Sequence, residues 1–438
     1  MLPSTKVFNY KRLILLLAVL LAVLAYPFLF DDAIDDDISA LVIKFNNQTT
    51  VKNNGSVYQL GMWAKSTTSP YEVGLWRLNQ YNKALKRNNG LVTDLTFEDR
   101  PKDSWISKIN FVEGTQDLLC DFSQIQCLDS LYEASQEKSA KIAALLNANE
   151  ANIEIYDGQM QYDKFQLYAN PSLTRPQIQF GLGLDINKLK LMSIIRSVAS
   201  SNGDAVTREL KQMLNFHQKV LAQTPYAITK IKSVIQYLSI LDTVAFLIGK
   251  TDKSKRTQWA EIIRAFSFLQ KDQLNMNKIT KLKIVSAANG WAYFSIENMS
   301  GSLPDSESRL PIYILFKPNR TLNSMYQDLL QDMDYIEFSK GRIINTKPDN
   351  LKQSIGTDYT NFIGSTLLRT AAPQKIDLTP DLLDLEVRQR MITYLYDKSS
   401  HQESIFRSPH TGEAAFYQKA QFCVSTNNPK WDVCITAF

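Results

Sequence analysis

Apolar positions along this chain follow three patterns in turn: one unbroken run, a long series of helical stripes, and short alternating segments. The unbroken run is Leu13 to Phe30, 18 residues without a charge. As a helix it would be roughly 27 Å long, close to the ~30 Å hydrocarbon thickness of a bilayer. Helical periodicity predicts a helix over Tyr71–Lys86, with Val73, Leu75, Trp76, Leu78, Tyr81, Ala84 and Leu85 on one face, stopped by Asn88, Asn89 and Gly90. A long helix is expected from Leu128 to about Asn149, with Asp129 and Ser130 early in it and Leu131, Ile142, Leu145 and Leu146 on its apolar side. A second helix or extended arm should cover Ile153–Tyr168. Ile186–Thr224 reads as two helices broken at Ser200–Gly203, with Asp204 capping the second. Tyr226–Ile248 is the most apolar stretch after the N-terminal run. Its Ser233–Ile248 part carries Gln236 and Asp242 and is short for a span, so it reads as a buried core helix. Trp259–Leu269, Leu322–Tyr335 and Pro380–Tyr396 are further helices, the last with Thr379 at its N-cap and Pro380 at N1.

Extended structure is expected elsewhere. Ser56–Ala64 reads as a strand or extended segment, while Ile38–Phe45, which alternates into a short apolar stretch, points to no one element. Leu282–Ser286, Trp291–Ile296 and Ile312–Phe316 look like strands, with Asn289-Gly290 as a hairpin turn. Asn46–Gly55 and Arg100–Asp103 are loop and turn, and Asn350–Gln374 has no clear period. In the tail, Ser408–Gly412 is a turn. Ala414, Phe416, Ala420, Phe422 and Val424 share one strand face, and Trp431, Val433 and Ile435 alternate in the last strand. The expected fold is mainly α with a smaller β-containing C-terminal portion (α+β) and one N-terminal transmembrane helix. It divides into residues 1–12, an anchor at 13–30, a mainly helical part at 31–275 and an α+β part at 276–438.

Charge orients the anchor. Lys6, Lys11 and Arg12 precede it, and Asp31, Asp32, Asp35, Asp36 and Asp37 follow. Basic residues resist translocation, so the N-terminus is expected in the cytoplasm and the remainder across the inner membrane, in the periplasm if the cell is Gram-negative. A cleaved signal peptide is the rival, with Val23-Leu24-Ala25 as its cleavage site. Against it, Tyr26 to Phe30 continue the apolar run beyond that point. The net charge of +5 comes without a basic block interleaved with aromatics, so nucleic acid is not an expected partner. Lys250–Arg256 and Lys281–Lys283 read as solvated faces, with lipid headgroups as the alternative.

The four cysteines fall into two close pairs, Cys120 with Cys127 and Cys423 with Cys434. In an oxidising compartment each pair is expected to close locally, the second as a clamp across a β-hairpin. The spacing is wrong for a four-Cys zinc site and for a Cys-X-X-Cys redox pair.

Few residues point to chemistry. Ile248-Gly249-Lys250-Thr251 ends like a phosphate loop, but Val244 stands where its first glycine belongs. Gly181-Leu182-Gly183 lacks the third glycine of a dinucleotide fingerprint and reads as a turn. There are three histidines. His217 reads as a partly exposed helix residue. His401 with Glu403, and His410 with Glu413, could supply a metal site, and a polar loop before the hairpin explains them equally. Asp31–Asp37 could bind calcium or form a solvated collar beside the bilayer. Asp381 and Asp384 look like helix N-terminal decoration rather than a glycosidase pair. No cofactor is implied.

The layout resembles a loose set of uncharacterised envelope proteins of Gram-negative bacteria. It shares a single N-terminal anchor, a first cysteine pair ahead of a long helix, and a tail with Pro409, Thr411-Gly412-Glu413 and Phe416-Tyr417 before a short strand. The resemblance implies no activity and no site. The expected function is binding, as an envelope scaffold or a toxin-immunity protein, with the bilayer and an envelope protein as partners. The alternative is an envelope hydrolase acting on lipid or cell wall, with a Ser/His pair or paired carboxylates assembled only in three dimensions.

Overall fold

The structure is a computed structural model. It describes residues 10–47, 52–62, 68–87, 109–137, 140–166, 169, 171–172, 176, 178, 180–199, 203–266, 273, 276–293, 316–330, 336–339, 342–345, 359–370, 379–398, 405–426 and 432–437. Helices dominate, and a three-stranded antiparallel sheet lies near the C-terminus.

The first helix, α1 (Tyr10–Leu29), carries the unbroken apolar run. Ile14, Leu15, Leu16, Leu17, Val19, Leu20, Leu21 and Val23 are each more than half exposed. It is followed by α2 (Asp36–Asn46), α3 (Gly55–Leu60) and α4 (Pro70–Arg87). The helix expected at 71–86 is therefore present, while the segment read as a strand or extended at 56–64 is helical as far as Leu60. Residues 63–64 lie outside the described residues. The strand reading of Ser56–Leu60 fails because nearly every side chain there is buried, which erases any period. Helices α3 and α4 cross at backbone contact: a Cβ on Gly74 would stand 1.9 Å from the Val57 carbonyl oxygen, and one on Gly61 would stand 1.9 Å from that of Pro70.

The long helix expected to Asn149 is two helices, α5 (Ile125–Gln136) and α6 (Ala140–Ala148). The arm that follows is α7 (Glu150–Gly158) with a 3-10 turn at Gln159–Gln161. The centre of the fold is α8 (Phe180–Ala199), α9 (Gly203–Gln223) and α10 (Ala227–Lys250). The break between α8 and α9 falls where it was expected, with Asp204 inside the first turn of α9. Lys190 on α8 reaches Asp157 on α7 at 2.8 Å and Glu209 on α9 at 3.0 Å.

Helix α10 is long and apolar enough to cross a membrane, yet 78% of its most apolar window is buried inside the protein. A helix apolar on all sides suits such a core position. It packs against α8, α9, a later helix at Thr379–Lys398 and the last strand. A 3-10 turn at Lys253–Trp259 leads into α11 (Ala260–Ala265), so the helix expected from Trp259 is shorter and starts as 3-10.

The expected strands at 282–286 and 291–296 are not found among the described residues. Asn277–Tyr293 is one helix, α12, and Asn289-Gly290 lies within it. The misleading signal has a physical origin. Leu282 and Val285 enter one apolar cluster with Phe45, Leu60 and Leu78, while Ile284, Ala287 and Ala288 enter another with Ile38, Leu322 and Tyr326. A helix buried on two sides shows a continuous apolar run, which periodicity cannot tell from a buried strand. The strand expected at 312–316 lies outside the described residues except for Phe316.

Next come α13 (Pro318–Leu330), a hairpin of β1 (Ile336–Ser339) and β2 (Arg342–Asn345), α14 (Phe362–Thr370) and α15 (Thr379–Lys398). The β1–β2 hairpin had no counterpart in the sequence reading. The tail forms β3 (Phe416–Gln418), β4 (Gln421–Ser425) and β5 (Asp432–Thr436), ordered β3-β4-β5 and antiparallel throughout. The stretch 414–424 is thus a tight hairpin rather than one strand, turned at Lys419, whose φ of +54° is left-handed. The largest apolar cluster runs from Tyr58 through α5 to α11 and on to Leu382, Val387, Phe422 and Ile435.

Candidate functional site

The interior holds a polar relay that the sequence reading missed. His217 is 0% exposed, which corrects the expectation of a partly exposed residue. Its Nδ1 lies 2.9 Å from Ser233 Oγ on α10, and its Nε2 lies 3.3 Å from the Tyr156 hydroxyl on α7. That hydroxyl donates to Asn187 Oδ1 on α8 at 2.7 Å. Which ring nitrogen donates depends on the tautomer, and Ser233 Oγ also donates to the His217 carbonyl at 3.5 Å. Burial, and then the nearby charge of Lys232, pushes the His217 pKa down to about 3. The ring is therefore neutral across ordinary pH.

Lys232 is buried beside this relay, and burial pushes its pKa down to about 8. Among the described residues no acceptor or counter-ion pairs with it. Its side chain lies against the first turn of α8, where a Cβ on Gly183 would stand 2.0 Å from Lys232 Nζ. One turn along α10, Gln236 Nε2 donates to the Gly183 carbonyl at 2.7 Å. Gly181-Leu182-Gly183 is therefore the start of a helix, not a turn, and Gly183 is the point where α10 approaches it. Ser233 and His217 have the spacing of a nucleophile and base, but both are sealed in the core, where no substrate reaches them.

A second polar cluster surrounds Arg388 on α15. Its Nη1 donates to Asp242 on α10 and, at 3.1 Å, to the Cys434 carbonyl on β5. Burial raises the Asp242 pKa to about 6 despite Arg388, and burial likewise raises Asp384 to about 6. Asp384 is thus more than surface decoration, while Asp381 is exposed.

The other singled-out residues are accounted for locally. Cys120 is bonded to Cys127, and Cys423 to Cys434, which are direct cross-strand partners. Lys250 pairs with Asp129 at 2.7 Å and lies over Tyr132 and Phe246. Thr251 accepts from Trp259 Nε1 at 3.0 Å, so the loop that resembled a phosphate site is a helix terminus. His410 is partly buried, which lowers its pKa, and Glu413 is exposed. His401 and Glu403 lie outside the described residues. No group of three or more His, Cys, Asp or Glu that could hold a metal is found among the described residues.

The acidic run after α1 stays largely exposed, and its first part, Asp31–Asp35, is bonded to a distant helix, α13. Asp31 accepts from the backbone N–H of Asn319 at 2.8 Å and of Arg320 at 3.1 Å, first-turn donors with no intrahelical acceptor. Arg320 forks onto Asp32, with Nε to Oδ2 at 2.9 Å and Nη2 to Oδ1 at 2.8 Å. Asn323 donates to the Ala33 carbonyl at 2.8 Å and accepts from Asp35 N–H at 3.0 Å. Nη1 of Arg320 donates to Thr360 in a 3-10 turn, Tyr359–Asn361, which also touches α1. Asn361 then accepts from Lys317 N–H at 2.8 Å and donates to Thr321 Oγ1 at 2.9 Å. The ion pair is partly exposed and contributes only about 1 kcal/mol or less. It is the number of directional bonds over five residues that fixes how α1 meets α13 and α14. This junction is the candidate functional site.

Compared with known proteins, the chain matches no family model, no curated protein and no solved structure.

Proposed function

We propose that the chain is a single-pass membrane protein that holds a large disulfide-bonded body on the exported side of an inner membrane and acts there by binding another envelope component, as a scaffold or an immunity-type protein. The observation that carries this reading is the state of α1. Eight of its apolar side chains are more than half exposed, whereas α10, the other long apolar helix among the described residues, is packed away. Exposing such a helix to water costs about 25 cal/mol per Å² of apolar surface, a cost a bilayer removes. The basic residues before the apolar run Leu13–Phe30, the two bonded cysteine pairs after it and the likeness to single-anchor envelope proteins support the same orientation. Binding rather than hydrolysis is favoured because the Ser/His pair found in the fold is sealed from solvent.

Topology is tested by fusing alkaline phosphatase and a fluorescent protein in turn after Phe438. An active phosphatase with a dark fluorophore is expected, and the reverse pattern rejects the orientation. Binding is tested by purification from detergent-solubilised membranes. A partner at fixed stoichiometry is expected, and turnover of lipid or peptidoglycan by the partner-free protein rejects the reading.

A further inference from the structure

We propose that the corner made by the Tyr359–Asn361 turn and the first turn of α14 is a second lipid contact, in which Phe362 enters the interface of the leaflet from which α1 emerges. This rests on α1 being a membrane span. The headgroup layer on each side of a bilayer is only about 5–7 Å thick, from a total thickness of ~40–45 Å around a ~30 Å core. Phe30 ends the apolar run, and Asp31 follows it directly. The carboxylate of Asp31 holds the first N–H groups of α13, and Arg320 bridges Asp32 to Thr360. These bonds tie down the short non-helical stretch 30–35 between the anchor and the body, and the Tyr359–Asn361 turn touches α1, so residues 360–362 lie at headgroup depth beside the end of α1.

What the corner presents there is Phe362, a large apolar side chain 47% exposed. On the anchor, Tyr26 and Phe30 stack at 4.7 Å and are also exposed. Aromatic side chains are favoured at the membrane–water interface. Two contacts side by side, one spanning and one interfacial, would fix the tilt of the body against the membrane, where a single helix alone leaves it free to rotate. Gly364 keeps the corner rigid: a Cβ there would stand 2.0 Å from Thr321 Oγ1, so α14 lies hard against α13.

The test uses the full chain in phospholipid nanodiscs, with photoreactive p-benzoyl-phenylalanine placed singly at Phe362, Tyr26 or Phe111. Phe111 is 46% exposed and belongs to the 109–115 segment that follows a different part of the chain. The same label at exposed Thr366, one turn on from Phe362, gives an independent reading of that face. After irradiation, lipid adducts are counted by mass spectrometry. Adducts at Tyr26 and Phe362, several times above Phe111, are expected. Adducts at Tyr26 with none at Phe362 or Thr366 overturn the second contact and leave the span intact. Adducts at none of these positions overturn the span and the inference together. Protein rather than lipid adducts at Phe362 overturn it in favour of a protein interface.

Discussion

Lys232 is a buried cation whose placement costs the fold stability. Burial lowers its pKa from 10.5 to about 8, with no paired charge among the described residues. Between those values the unfolded chain holds a proton that the folded protein has released. Unfolding free energy therefore rises as pH rises through about 8 to 10.5, and is lowest below pH 8. Lys230, lowered to about 7, acts in the same direction, so the informative comparison is between variant and parent. Lys232→Met keeps most of the length of the side chain and removes the charge. It should raise stability in urea unfolding at pH 7 by about 1–3 kcal/mol, and this advantage should shrink by pH 9.5. An advantage unchanged by pH would mean the amine is solvated. The sequence showed Lys232 inside an apolar stretch. It could not show that Gly183 and His217 crowd it, because those contacts join α8, α9 and α10.

At the scale of elements, the glycines separate into those that hold two helices together and those that do not. Gly74 lets α4 reach the backbone of α3, and a Cβ there collides with the Val57 carbonyl, which cannot move as a flexible side chain can. Gly74→Ala should cost about 2–4 kcal/mol in thermal or urea unfolding. Gly181, near the start of α8, has nothing within 4 Å of its Cβ position. Gly181→Ala should be neutral or stabilising by up to about 1 kcal/mol, since alanine favours helix. Equal losses for the two would contradict the crossing. The same distinction explains which elements were legible. Tyr71–Lys86 shows its stripe because one face meets solvent, whereas α8 begins at Phe180, six residues before the expected Ile186 and through the glycines read as a turn, and α10 was legible by its length and its continuous apolar character. Ser56–Leu60 and Leu282–Ser286 were misread as extended because they are buried on more than one side, and neither period survives complete burial.

Across the molecule, Arg388 ties α10, α15 and β5 together through Asp242 and the Cys434 carbonyl, next to the Cys423–Cys434 bond. Arg388→Met alone strands a buried carboxylate and should cost about 3–5 kcal/mol. Adding Asp242→Leu should recover most of that loss, because an apolar pair replaces the ion pair without leaving a charge behind. A melting temperature for the double variant as low as for the single one would show that Arg388 acts through packing alone. Loss of this staple should loosen the tail sheet first, read as faster hydrogen exchange in β4 and β5 than in α8 and α9. The other long-range tie, between Asp31–Asp35 and α13, joins residues almost 300 positions apart in sequence, for example Asp32 with Arg320.

By itself the sequence determined the apolar N-terminal helix, the helical majority, the break at 200–203, and the two cysteine pairs. Each of these depends on residues close together in the chain, so local spacing carries the information. Tertiary structure alone decided that Asp31–Asp35 caps and grips a distant helix, that His217 lies in a sealed relay, and that α12 is a helix rather than a hairpin. In each case the deciding partner comes from elsewhere in the chain, and burial removes the contrast between wet and dry faces on which periodicity depends.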